Sequence, residues 1–240
     1  MAGIVKQDAR RDLIILKDTE EAIAFATEHW VRCAADAIKR RGRFVVALSG
    51  GSTPKAIYHV LCSQEIHWND VHLFWSDERA VPPDHPDSNY HMAMEAGLKG
   101  LIPTDQIYRM RAESDIERHA REYEAQLPRD LFDLVMLGVG EDGHTASLFP
   151  GTAALESKKL ITANFVPKLN SWRMTFTFRA INESRLAVVY ALGAAKQPIV
   201  QKILTDPTAP EPAHRVGTSQ HRALWIVDRA AAPNTKYQKI

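Results

Sequence analysis

Asp142 and His144 stand two residues apart in the run Gly138-Val139-Gly140-Glu141-Asp142-Gly143-His144-Thr145-Ala146-Ser147-Leu148-Phe149-Pro150. A histidine, with an ordinary pKa of about 6.5, is the side chain best suited to take up and return a proton near neutrality. A carboxylate next to it can orient the ring, although side chains two residues apart can also diverge. The surrounding glycines allow a tight turn and let a ligand come close to the backbone. Apolar residues 132–137 lead into this run and read as a strand buried on both faces. Asp142 and His144 are therefore expected at a strand's C-terminal end, which is where ligands bind in open α/β sheets.

Two further clusters follow strands in the same way. Ser49-Gly50-Gly51-Ser52-Thr53-Pro54 joins the apolar residues 43–48 to a helix expected over 54–61, with Thr53 as N-cap and Pro54 in the first helical position. Exposed N–H groups, hydroxyls and the positive end of a helix together make a phosphate cradle. Taken alone, the segment fits an ordinary strand-to-helix turn equally well. Leu48-Ser49-Gly50-Gly51 is similar to the signature of transporter ATPases, but no Gly-Lys-Ser/Thr sequence accompanies it. Ser49 also lacks the glycine two positions earlier that a nucleophile elbow carries. The third cluster, Phe74-Trp75-Ser76-Asp77-Glu78-Arg79, brings two carboxylates and a guanidinium to a strand end. Arg79 could meet a phosphate or an oxyanion there, although a solvated ion pair is the commoner fate of such a triplet.

The elements that must position these groups alternate. Strands are expected over 43–48, 71–75, 132–137, 160–166, 173–178, 186–192 and 223–227. Helices are expected over 20–40, 54–61, from a Ser88 cap to about 98, over 113–126 and over 194–204. Alternation implies parallel pairing with helices on both sheet faces. No internal repeat or long linker divides the chain. The expected architecture is one three-layer α/β/α domain over residues 1–240, with a mostly parallel, Rossmann-like sheet. The other histidines, including His59, His85 and His91, have no metal-ligand spacing and read as surface or packing residues.

Composition restricts what such a site can serve. The 240 residues carry a net charge of +1 and 45% hydrophobic residues, which suits a globular chain and offers no basic footprint for nucleic acid or anionic membrane. Cys33 and Cys62 are too few for a disulfide framework and are expected to pack in a reducing compartment. Charges at Lys6, Asp8, Arg10, Arg11 and Asp12 exclude the apolar centre of a secretory signal. No apolar run approaches the roughly 18 residues of a membrane span. A cytoplasmic location follows, with a small anionic molecule as partner and with no nucleic acid or membrane; in that location the Asn182-Glu183-Ser184 sequon is idle.

In this order, the Ser49 to Pro54 loop, the Ser76-Asp77-Glu78-Arg79 turn, the Asp87-Ser88-Asn89-Tyr90 segment and the block from Gly140 to Pro150 resemble the glucosamine-6-phosphate isomerase/6-phosphogluconolactonase family. The likeness extends over nearly the whole chain. It is to the lactonase branch: deaminases of the family carry a glutamate five residues after the matching histidine, where this chain has Phe149, and a tyrosine where it has Arg79. A sugar-phosphate sensor on the same fold would need a DNA-binding segment, for which the chain has no spare helix-turn-helix.

The resemblance implies hydrolysis of 6-phospho-D-glucono-1,5-lactone to 6-phospho-D-gluconate in the oxidative pentose phosphate pathway. His144 would be the general base, Asp142 its orienting partner and Arg79 the group near the developing oxyanion. Ser49, Gly50, Gly51, Ser52, Thr53, Asp77, Arg173 and Lys196 would bind the substrate and its phosphate. Read without the family, Arg173 is an exposed strand residue and Lys196 a first-turn helix lysine. No metal ion or organic cofactor is implied, because an ester carbonyl is already reactive once it is positioned. The partner would be the sugar-phosphate lactone, and the chain a monomer or small homo-oligomer.

Overall fold

Runs of branched and aromatic residues fill the strands, and the computed structural model, which describes residues 3–130 and 132–234, gathers them into two sheets. Residues 1–2 and 235–240, the ends of the expected domain, lie outside the described residues. The strands are β1 (Val5–Lys6), β2 (Arg11–Leu16), β3 (Phe44–Leu48), β4 (Val71–Trp75), β5 (Asp77–Arg79), β6 (Leu134–Gly138), β7 (Ile161–Val166), β8 (Ser171–Phe176), β9 (Ala187–Ala191) and β10 (Ala223–Asp228). The helices are α1 (Thr19–Arg41), α2 (Ser52–Leu61), α3 (Asn89–Ala93), α4 (Ile116–Gln126), α5 (Phe178–Asn182) and α6 (Gln197–Thr205).

The larger sheet has the order β1-β2-β10-β9-β6-β3-β4, and only β1 runs antiparallel to its neighbour. Every residue of β3 and β9 is buried, as expected of central strands covered on both faces. Helices α1 and α2 pack together, with α1 lying over β2, β3 and β10. The mostly parallel sheet flanked by helices is the architecture expected from the alternation. From β3 the chain steps outward to β4 and later returns on the other side of β3 as β6. The loops after β3 and β6 therefore leave the sheet side by side at a switch point, the place where this class of sheet opens a crevice.

The smaller sheet, in the order β5-β8-β7, is antiparallel throughout and was not anticipated. The strands expected over 160–166 and 173–178 correspond to β7 and β8, the second shifted to 171–176, but they pair with each other as a hairpin and not within the parallel sheet. Its third member, β5, is the Asp77-Glu78-Arg79 segment read as a turn. Three charged residues carry little strand propensity, and here the partner strand decides the conformation. Strand β2 also escaped the sequence reading because Arg11 and Asp12 mask the apolar run Leu13-Ile14-Ile15-Leu16. A single residue, Ser76, separates the two sheets: its N–H donates to Leu48 O at 2.8 Å, and its carbonyl accepts from Phe176 N at 2.8 Å.

Helix ends follow local chemistry. Asp18 caps α1 by accepting from Glu21 N, and Ser88 caps α3 by accepting from His91 N, as expected of a serine there. Thr53 is not the N-cap of α2. That position is Gly51, whose φ of 107° suits glycine, and among the described residues no side chain caps this helix start. Among the described residues no helix is long and apolar enough to cross a membrane.

Candidate active site

The segments singled out in the sequence converge on one cavity of about 520 Å³ at the C-terminal ends of the parallel strands. Ser49, Gly50, Gly51, Ser52 and Thr53 reach it from the loop after β3, Asp77 and Arg79 from β5, and Asp142 and His144 from the loop after β6. Arg173 lines it from β8 and Lys196 from the 3-10 turn Ala194–Lys196 that precedes α6.

Asp142 and His144 do not diverge. His144 Nδ1 lies 2.5 Å from Asp142 Oδ1, which also accepts the His144 backbone N–H at 3.2 Å. With Nδ1 bonded to the carboxylate, a neutral ring keeps its lone pair on Nε2. Phe149 stacks on the imidazole, with centroids 4.0 Å apart and planes at 19°. The ring folds back over Gly140, where an added Cβ would overlap its Cε1 and Nδ1 atoms. Partial burial raises the Asp142 carboxyl, but bonds from His144 and Lys168 outweigh that effect and hold it at about 2. Lys168, at the tip of the β7–β8 hairpin, places Nζ 3.1 Å from Asp142 Oδ2.

A different chemistry occupies the other walls. Arg79 and Arg173 face each other across β5 and β8. Among the described residues, neither forms an ion pair with a carboxylate: Arg79 donates to Asp87 O and Arg173 to Ser171 Oγ. Burial, and then the neighbouring Arg79 charge, push the Arg173 guanidinium down. Two guanidiniums held together in this way make this wall favourable to negative charge, on a phosphate or on an oxyanion. The start of α2 adds N–H groups free of any side-chain cap, and Tyr58 secures the preceding loop by accepting from Ser49 N and donating to Ser49 O, both at 2.9 Å. Among the described residues, no group of three or more His, Cys, Asp or Glu is placed to hold a metal ion.

The loop after β6 is fastened to the second sheet through Ser147. Its N–H donates to Thr175 Oγ1 at 3.0 Å, its hydroxyl to Asp77 Oδ2 at 2.6 Å, and its carbonyl accepts from Asn164 Nδ2 at 2.9 Å. Asp77 Oδ1 also accepts from Asn89 Nδ2 at 3.3 Å, so the carboxylate braces the wall that it lines. Asn164 is 3% exposed and bonds Thr152 Oγ1 as well. Asn164→Ala will leave these acceptors unmet and cost about 1–3 kcal/mol, lowering the melting temperature by roughly 2–10 °C in a thermal scan. An unchanged midpoint would show that the two sheets hold together without this bond.

Four contributors went unread in the sequence. Lys168 gave no local signal, because its partner lies on another element. Tyr58 and Asn164 read as ordinary helix and strand residues. Phe149 was noticed only as the absence of a carboxylate, although an aromatic five residues after the histidine was a clue to ring packing.

Comparison with known proteins places this geometry. Residues 17–225 match the family model described as glucosamine-6-phosphate isomerases/6-phosphogluconolactonase. The chain belongs to this family. The match takes in every cavity residue named above. A relative from Chlamydia muridarum named 6-phosphogluconolactonase is 40% identical over 239 residues, covering 95% of this chain and 91% of its own. One of the same name from Synechocystis is 41% identical over 214 residues, covering 83% and 88%. The crystal structure of the 6-phosphogluconolactonase from Thermotoga maritima superposes with a TM-score of 0.80 at 30% identity, covering 90% of this chain and 99% of its own. All three strands of the small antiparallel sheet lie inside the matched span.

Proposed function

We propose that this chain is a 6-phosphogluconolactonase, a carboxylic ester hydrolase that converts 6-phospho-D-glucono-1,5-lactone to 6-phospho-D-gluconate in the oxidative pentose phosphate pathway. The observation that carries this reading is the aspartate-oriented imidazole sharing one cavity with a pair of guanidiniums and an uncapped helix start. A proton-handling end and an anion-holding end are what a phosphorylated lactone requires.

His144 Nε2 takes a proton from water as the water oxygen attacks the lactone carbonyl carbon. The tetrahedral intermediate collapses by breaking the bond to the ring oxygen, which receives the proton from the imidazolium and leaves as the C5 hydroxyl. Asp142 holds the ring through its Nδ1 hydrogen bond and stabilises the transient imidazolium. Arg79 meets the oxyanion. Ser49, Gly50, Gly51, Ser52, Thr53, Arg173 and Lys196 hold the phosphate, with Asp77 keeping the wall between the two ends in place. The ligand is a small sugar-phosphate lactone. We take the enzyme to work in the cytoplasm as one domain, as a monomer or small homo-oligomer, without nucleic-acid or membrane partners.

The test is acid release from the phosphorylated lactone above the spontaneous rate, with no ammonia from glucosamine 6-phosphate. Ammonia at a comparable rate would move the chain to the deaminase branch, and binding without turnover would make it a sensor. Lys196→Ala will raise KM for the phosphorylated lactone by roughly 10- to 100-fold and leave the weak reaction of unphosphorylated gluconolactone almost unchanged, since a charge-assisted bond of about 1.5–3 kcal/mol forms only where a phosphate is present. Equal losses on both substrates would assign Lys196 to the fold or to the chemistry.

A further inference from the structure

Asp142 has two carboxylate oxygens, and two different cationic or protonatable groups occupy them. Oδ1 bonds the His144 imidazole at 2.5 Å, and Oδ2 bonds the Lys168 ammonium at 3.1 Å. The lysine comes from the other sheet. It sits in the hairpin turn Pro167–Leu169, which Asn170 closes in a left-handed conformation at φ 44° with its N–H on Pro167 O. We propose that Lys168 is a positioning residue of the reaction, dividing the Asp142 charge between itself and His144 and so setting how readily the catalytic imidazole is trapped in its protonated form.

The argument is electrostatic and rests on the general-base reading above. A carboxylate bonded to Nδ1 alone stabilises the imidazolium, which strengthens the base and also keeps more of it protonated, and so idle, at a given pH. An ammonium on the second oxygen withdraws part of that stabilisation and fixes the plane of the carboxylate. The Lys168 side chain is 69% exposed and that of Asp142 only 24%, so solvent weakens the cation while the sheltered carboxylate passes the effect to the ring.

Other charged groups stand around His144, and three of them, Asp77, Arg79 and Glu211, are engaged elsewhere. On its own loop stands Glu141; Asp77 is bonded to Ser147, and Arg79 to Asp87 O. Arg173 and Lys196 line the cavity, and Glu211, which packs behind Gly143, pairs with Lys202. Among the described residues, Lys168 is the one cation besides His144 bonded to Asp142.

The experiment compares pH profiles of kcat/KM for the wild type, Lys168→Met and Lys168→Arg, together with an NMR titration of the His144 ring in the same proteins. Lys168→Met is expected to move the acid limb and the ring titration upward together by about 0.3–0.7 pH unit, with KM unchanged and with Lys168→Arg restoring most of the shift. A pH-independent loss of rate would make Lys168 a mere tether, and a raised KM with an unmoved limb would make it a substrate contact. Either result, or no change at all, overturns the proposal. The NMR titration needs no turnover, so a wild type inactive on the lactone would remove the functional reading while the shift still decided the role of Lys168.

Discussion

Replacing His144 by alanine will leave the fold standing and lower lactone turnover by about a hundredfold to ten-thousandfold, the share that a positioned general base contributes. The side chain stacks on Phe149 at the cavity wall and its bonds are confined to the catalytic loop, so its removal leaves the core untouched. The pH dependence adds a second check. The Asp142 carboxyl lies below its ordinary 3.8, so the stabilisation from its bonds is in full force above that value and is lost only as pH falls from there towards about 2. Asp142 thus stays ionised throughout the neutral range, and the acid limb of the wild-type profile will follow a single proton. The His144→Ala protein will lack that limb. Near-normal turnover by a folded His144→Ala protein, measured against spontaneous hydrolysis, would remove the residue from the mechanism.

Gly140→Ala will be nearly as damaging, although it removes neither a charge nor a core side chain. Gly140 is not among the residues with positive φ, so its backbone accepts alanine. What cannot accept it is the imidazole, because the new methyl would fall on Cε1 and Nδ1 and within 2.9 Å of Asp142 Oδ1. The ring must move and its bond to Asp142 must break or bend. Misplacement of a reacting group by about 1 Å costs on the order of a hundredfold. We expect kcat to fall by about that factor while KM and the circular dichroism spectrum hold. Wild-type kcat in this variant would mean that the imidazole works from a position other than the one it occupies here.

Much of the site was legible because its residues cluster next to strands that advertise themselves. Leu48 and Leu137 end apolar runs, glycines follow, and the polar groups come immediately after. What pairs across the molecule was not legible. Arg79 and Arg173 read as a turn residue and an exposed strand residue, and nothing local tells that their backbones lie opposite each other in a second sheet. Lys168 reads as one surface lysine among many until the hairpin carries it to Asp142. Strand β2 failed for another reason: two charges at its start obscure four apolar residues that the core then claims, and Leu13 and Ile14 are fully buried. Thr53 reads as the cap because hydroxyl residues favour that position, whereas the helix begins two residues earlier, at Ser52, and leaves Gly51 as the cap.

The one-residue passage through Ser76 also orders events in time. It delivers β5 to a sheet whose central strand is still far from made, since Asp77 pairs with Thr175 about a hundred residues downstream. A growing chain emerging from the ribosome carries the β3 loop and Arg79 long before Arg173 exists, and closing so long a loop is a slow step in folding. The core of the parallel sheet can gather around β3, β4 and β6 without it. The facing guanidinium pair is therefore among the last features that synthesis and refolding complete, and a chain cut short before β8 lacks one of the two together with β9 and β10, the middle strands of the parallel sheet.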